Sequence, residues 1–247
     1  MAHKRLQQDW KATLLYSSFD FLVNLVIIFG PLIGYIPQYF QIKRSNSAGG
    51  FSPKISLILL SANILRIFFW FLEPFEWPLL VQAGLMIVTQ TVLLHCIVTR
   101  RKIEASTENL SLIKPVSLLE SEPRESFWEW SSLRPYALCI VFYTFACLAL
   151  TASNIYIFSS QILTQMIGYA ALMIESSLGI PQFISNYRRK SVAGLCRTLV
   201  LMWFLGDVGK TALFLYRKTK PQFVLCGITQ TVVDIGIFLQ ILCYGRK

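Results

Sequence analysis

The sequence predicts an all-α polytopic membrane protein of seven transmembrane helices, two parallel three-helix repeats joined by a connector helix in a 3+1+3 order. Three observations predict it. Of 247 residues, 54% are hydrophobic and only 15% carry a charged side chain, where a soluble domain carries about 25%. The apolar residues, with a mean hydropathy of +0.53, gather into runs of roughly 20, the length that crosses a bilayer as a helix. The first three of these runs recur as the last three.

Residues 1–17 form a polar N-terminal tail: Lys4, Arg5, Gln7, Gln8, Asp9, Trp10 and Lys11 precede any apolar run. This order does not suit a cleavable signal peptide, so the first span does the targeting. The seven runs are Phe19 to Ile42, Ile55 to Leu72, Trp77 to Thr99, Pro135 to Ala152, Gln161 to Tyr187, Thr198 to Tyr216 and Pro221 to Tyr244. Their lengths make them helices, since a lipid-facing strand needs only about 10 residues of alternating polarity. Residues 18–99 then hold the first three-helix bundle, 135–158 the connector, and 159–247 the second bundle with a short tail. Between them, 100–134 is a polar linker with six basic and six acidic residues, Pro115 and Pro123, a composition expected to be partly disordered. Its aromatic end, Phe127, Trp128, Glu129 and Trp130, suits an anchor at headgroup level.

The net charge of +10 sits in the flanks and loops, without the interleaved solvent-facing aromatics of a nucleic-acid groove, so nucleic acid is not expected as a partner. Counted by alternating sides, six Lys and Arg fall on the side of the N-tail and fifteen on the side of the linker and C-terminus, with Arg66 and Lys210 left inside spans two and six. The richer side is cytosolic by the positive-inside rule, which makes the N-terminus lumenal. Asn109-Leu110-Ser111 is the only glycosylation sequon and faces the cytosol in this arrangement.

Self-comparison finds Ile36, Pro37, Gln38 and Tyr39 again as Ile180, Pro181, Gln182 and Phe183, 144 positions later. The same offset carries Arg44 to Arg188, Ser47 to Ser191, Gly50 to Gly194, Asn63 to Asp207 and Arg66 to Lys210; four residues shorter, it carries Gln90 to Gln230. Four spans separate the first helices of the two repeats, so both start on one side and are related by an axis along the membrane normal. Each Pro-Gln pair is a candidate hinge, because proline removes a backbone donor and glutamine can hydrogen-bond inside a bundle.

These paired motifs, Tyr35-Ile36-Pro37-Gln38-Tyr39 and Gly179-Ile180-Pro181-Gln182-Phe183, each followed by a basic segment and a Ser-x-x-Gly turn, resemble those of the PQ-loop repeat proteins, relatives of cystinosin and the SWEET sugar carriers. Ala62-Asn63-Ile64-Leu65-Arg66, Phe127-Trp128-Glu129-Trp130 and Gly206-Asp207 with Lys210-Thr211-Ala212 are similar to one branch of solute carrier family 66. The resemblance implies a 3+1+3 fold, a cytosolic C-terminus and a trans-Golgi, endosomal or lysosomal membrane. For function it implies energy-independent phospholipid scrambling that opposes flippases and supports endosome-to-Golgi traffic, or, in cystinosin-like relatives, proton-coupled export of an amino acid or other small solute. Asp234 matches an acidic family position, whereas Trp203 stands where cystinosin-like carriers have an acid.

Arg66, Glu175, Asp207, Lys210 and Asp234, with Asn63, are expected at membrane depth, where an Arg, Lys or Asp costs about 2.5–3.5 kcal/mol at a helix centre. Asn63 with Arg66 and Asp207 with Lys210 are three apart on one helix and can pair. Two readings stand: the pairs lock the bundles together, or they line a hydrated path. Along such a path, the basic groups would attract a headgroup phosphate and the acids its amine. Gln38, Gln182, Gln90 and Gln230 divide between interhelical contact and cavity lining. Gly168, Gly179, Gly206, Gly209, Gly227 and Gly236 suit close packing, and His95 a buried, hydrogen-bonded site. Five of the six cysteines lie in apolar runs, and neither a metal-ligand spacing nor a nucleophile, acid–base or phosphate-cradling motif is present, so no metal, cofactor or enzyme chemistry is expected. The expected partners are phospholipids, a second copy of the chain, and sorting adaptors reading Glu108, Leu112 and Ile113 in the linker.

Overall fold

A computed structural model describes residues 20–44, 53–111, 127–128, 130–192 and 197–244. The N-tail, Leu112 and Ile113, Cys196 and the C-terminal residues lie outside it, as does the side chain of Gln38. Among the described residues the regular structure is all helical: α1 over 20–33, α2 Tyr35–Arg44, α3 Pro53–Leu72, α4 Trp77–Ser111, α5 Leu133–Ser153, α6 Gln161–Ser176, α7 Ile180–Arg189, α8 Arg197–Tyr216 and α9 Pro221–Tyr244. Six segments are long and apolar enough to cross a membrane: Asp20–Pro37, Pro53–Leu72, Trp77–Ile103, Leu133–Phe158, Gln161–Arg188 and Pro221–Tyr244. This is an integral membrane protein. The sixth of the seven expected spans is helical as α8, but it is not among the six; it carries Asp207 and Lys210 at its centre.

The predicted first and fifth spans are each broken. A turn at Gly34 separates α1 from α2, and a 3-10 turn over Ser177–Gly179 separates α6 from α7. Pro37 and Pro181 follow these breaks, in the first turn of α2 and α7. There a proline costs little, because the first N–H groups of a helix have no intrahelical acceptor. The two breaks occupy equivalent places in the two repeats, so each Pro-Gln pair opens a short helix instead of kinking a long one.

α3 is the central helix and packs against α4, α5 and α6, while α6, α7 and α8 all pack against α9. Ile64, Leu65 and Phe69 of α3 share one apolar core with Leu79, Cys147, Ile167, Leu172, Phe214 and Phe223, a core that spans the boundary between the repeats. Gly168 makes the α3–α6 approach possible: a Cβ there would stand 2.6 Å from Cζ of Phe69. Gly179, Gly227 and Gly236 are equally constrained by Val233, Thr211 and Phe183, but Gly206 and Gly209 have open space beside them.

α4 continues to Ser111, three turns beyond the predicted end of span three at Thr99, so the linker begins as helix. The aromatic end of the linker is folded and not merely interfacial. Trp128 is buried with Leu60, Leu94, Val98 and Tyr136, and the Tyr136 hydroxyl donates to the carbonyls of Trp128 and Trp130, each at 3.2 Å. Phe127 keeps the exposed position expected of an anchor. His95 is exposed on α4, contrary to the buried site expected of it. At its far end, α5 runs into a π-helix over Asn154–Phe158. Asn154 donates to Thr164 Oγ1 at 2.8 Å and accepts from the Ser160 amide at 3.0 Å, while Ser160 Oγ caps α6. These bonds satisfy the polar groups that end one helix and start the next.

Candidate functional site

Three helices carry the charged centre. Arg66 lies midway along α3, Glu175 near the end of α6 and Lys210 midway along α8. The Glu175 carboxylate pairs with the Arg66 guanidinium through one oxygen, and with Lys210 Nζ through the other at 3.5 Å. One acid therefore bridges a base from the first repeat and its counterpart from the second. Arg66 also lies over the Phe223 ring and Lys210 over the Phe214 ring, at 5.9 and 5.8 Å, distances at which a cation is attracted to an aromatic face. Arg66 is 1% exposed, and the Lys210 side chain 19%.

This arrangement corrects the pairing expected from spacing. Asn63 does not reach Arg66; its Nδ2 donates to the Leu59 carbonyl of its own helix at 2.8 Å, the bond a polar side chain makes when a helical turn offers a closer acceptor. Lys210 lies close enough to Asp207 to act on it electrostatically, but its ion pair is with Glu175. The Asp207 and Asp234 side chains interact with each other, which joins α8 to α9 beside the bridge. Asp234 is buried and Asp207 half-buried. All five ionisable candidates thus form one cluster of two bases and three acids, drawn from α3, α6, α8 and α9.

The glutamines separate. Gln90 is fully buried and accepts from Ser56 Oγ at 3.1 Å, linking α4 to α3, whereas its repeat mate Gln230 is half-buried and faces Cys226 Sγ at 3.6 Å. Gln182 donates to Asn186 within α7 at 2.8 Å. A second polar group escaped sequence reasoning altogether. Glu73, after α3, pairs with Lys220, before α9; Gln165 of α6 donates to Glu73 Oε2 at 2.5 Å and accepts from Gln222 of α9. Beside it, Arg217 pairs with Asp20 at 3.2 Å and donates to Asn24 Oδ1 at 2.9 Å. The missed signal was the offset of 144 itself, which places Glu73 on Arg217 and Glu76 on Lys220, opposite charges at matched positions. Among the described residues no set of His, Cys, Asp or Glu is arranged to hold a metal ion.

The profile of the PQ loop repeat matches twice, over residues 21–79 and 163–223; each match contains one Pro-Gln motif, the first also Arg66 and the second Glu175, Asp207 and Lys210. The chain belongs to the PQ-loop repeat family. Scramblase ANY1 of Saccharomyces cerevisiae is 25% identical over 91% of this chain and 71% of its own length. The vacuolar histidine transporter YPQ3 of the same yeast is 23% identical over 37% of this chain and 31% of its own length. A solved eukaryotic SWEET transporter shares the fold, with a TM-score of 0.60 at 12% identity, over 92% of this chain and 95% of the other. In this PQ-loop protein Trp203 is exposed on α8, and the acid facing Asp234 is Asp207, one turn further on.

Proposed function

We propose that this protein exchanges phospholipids between the two leaflets without an energy source. The observation that carries the reading is the similarity to a scramblase along nearly the whole chain, joined to a cluster of mixed charge at membrane depth. Lys210 is partly exposed, and the open space beside Gly206 and Gly209 lies on the same helix. A zwitterionic headgroup following α8 would find Lys210 for its phosphate and Asp207 for its amine, while its acyl chains stayed in lipid. Such exchange needs no covalent step, cofactor or metal. Placement completes the proposal: a 3+1+3 arrangement, the N-terminus in the lumen, and a Golgi or endosomal membrane.

The partial similarity to a histidine transporter favours a second reading, a carrier of a small zwitterionic solute that uses the same mixed charges. One paired experiment separates the two. Purified protein in liposomes is given fluorescent phospholipids, and in a parallel set labelled amino acids under a proton gradient. Lipid exchange without ATP supports the first reading, and gradient-dependent solute accumulation without lipid exchange replaces it with the second.

A further inference from the structure

The ends of the two repeats carry opposite charge where they meet. Glu73 and Glu76 follow α3 of the first repeat; Arg217 and Lys220 follow α8 of the second. The offset that relates the repeats maps Glu73 onto Arg217 and Glu76 onto Lys220. It therefore maps the ion pair Glu73–Lys220 onto Arg217–Glu76, and the charge of Arg217 does act on Glu76. The Glu73–Lys220 pair thus crosses the repeat boundary beside the Gln165–Gln222 bond, and Arg217 crosses the same boundary to pair with Asp20 of α1 at 3.2 Å.

Below these contacts lies an aromatic layer. Phe75 packs on Phe69 and Phe223 with ring centroids 5.8 and 4.9 Å apart, and Phe223 on Phe214 at 5.7 Å. Beneath the rings sit Arg66 and Lys210, seven residues from Glu73 and Arg217 on their respective helices, a rise of about 10 Å. Along α3 and α8 the rings thus lie between the charged centre and the ion pairs at this face.

We propose that the two cross-repeat ion pairs, Glu73–Lys220 and Asp20–Arg217, are a latch that closes the N-terminal face of the polar path, and that the path opens when the repeats part there. The latch is built from exposed and partly exposed side chains, whose ion pairs are individually weak. That suits a device that must open and re-form, unlike the buried bridge at Glu175. As a gate for transport it rests on the proposed function; as a closure it can be tested without it.

Cys226 is the reporter. It is buried beside the charged centre, with Sγ donating to the Leu172 carbonyl at 3.2 Å. In full-length protein whose other cysteines are replaced by serine, Cys226 is labelled with a membrane-impermeant thiol reagent applied from the N-terminal face. Glu73→Gln combined with Asp20→Asn should raise the labelling rate severalfold, up to about thirtyfold, the most that two such contacts carry. In a second variant, Glu73→Cys with Lys220→Cys, joined by a short reducible thiol cross-linker, Cys226 should be protected until reductant is added, and lipid exchange should stop and resume with it. Labelling that is equal in wild type, the neutralised variant and the cross-linked variant overturns the latch. If labelling follows the latch and wild type exchanges no lipid, the closure stands and the scrambling reading falls.

Discussion

Glu175→Gln tests the central bridge most directly. The substitution keeps the shape of the side chain, removes its charge, and leaves Arg66, 1% exposed, without a counter-ion on α6. Breaking a buried pair from one side costs about 3–5 kcal/mol, because the remaining charge is uncompensated. For a chain of this size each 1 kcal/mol lowers Tm by about 2–4 °C, so the expected loss is about 6–20 °C. Monodispersity in detergent after a temperature series measures it. Arg66→Met with Glu175→Met replaces both partners by apolar groups, and much of the loss should return, since a buried pair exchanged for packed hydrophobic residues is often neutral. Lys210 remains in that double variant without its ion pair, so recovery should be incomplete until Lys210→Met is added. A Glu175→Gln protein melting within about 2 °C of wild type would refute the bridge, for less than about 1 kcal/mol would then depend on it. If Arg66→Leu or Lys210→Leu folds normally and exchanges lipid at the wild-type rate, those residues are not the path.

Gly168→Val should destabilise by about 1–3 kcal/mol through overpacking, since its first added carbon already meets Phe69; Phe69→Leu in the same chain should restore part of the loss, and additive effects would contradict the contact. Burial raises the pKa of Glu76 above its ordinary 4.5, with Arg217 opposing the rise. The folded protein therefore holds that proton more tightly than the unfolded chain. Its contribution to stability is present in acid and fades as pH rises through the folded value. Thermal stability should therefore show a Glu76-dependent gain on acidification that Glu76→Gln abolishes, and a pH step of unchanged size in that variant would exclude Glu76 as its source. Asn109, in the last turns of α4, should remain unglycosylated in cells, and a glycan there would reverse the proposed orientation.

Much of this protein is legible without coordinates, because lipid imposes a simple rule. Backbone polar groups have no water partner in the hydrocarbon, so each apolar run of about 20 residues must be a helix. The duplication is also plain in the sequence, since an offset of 144 preserves Pro37, Arg44 and Gly50 as Pro181, Arg188 and Gly194. The rarity of charge within apolar runs marked Arg66, Glu175, Asp207, Lys210 and Asp234 as one class of residue. Their pairing was not legible. Spacing along one helix brings Asn63 near Arg66 and Asp207 near Lys210, but a side chain pairs with the best-placed group in three dimensions, and Glu175 reaches both bases from a helix more than 100 positions from Arg66. The cross-repeat contacts of Glu73 and Lys220 were hidden for the same reason: each residue alone reads as an ordinary loop charge. Only the packing of α3 on α6 and of α8 on α9 brings the ends of the two repeats together, so that an acid ending one repeat meets a base ending the other.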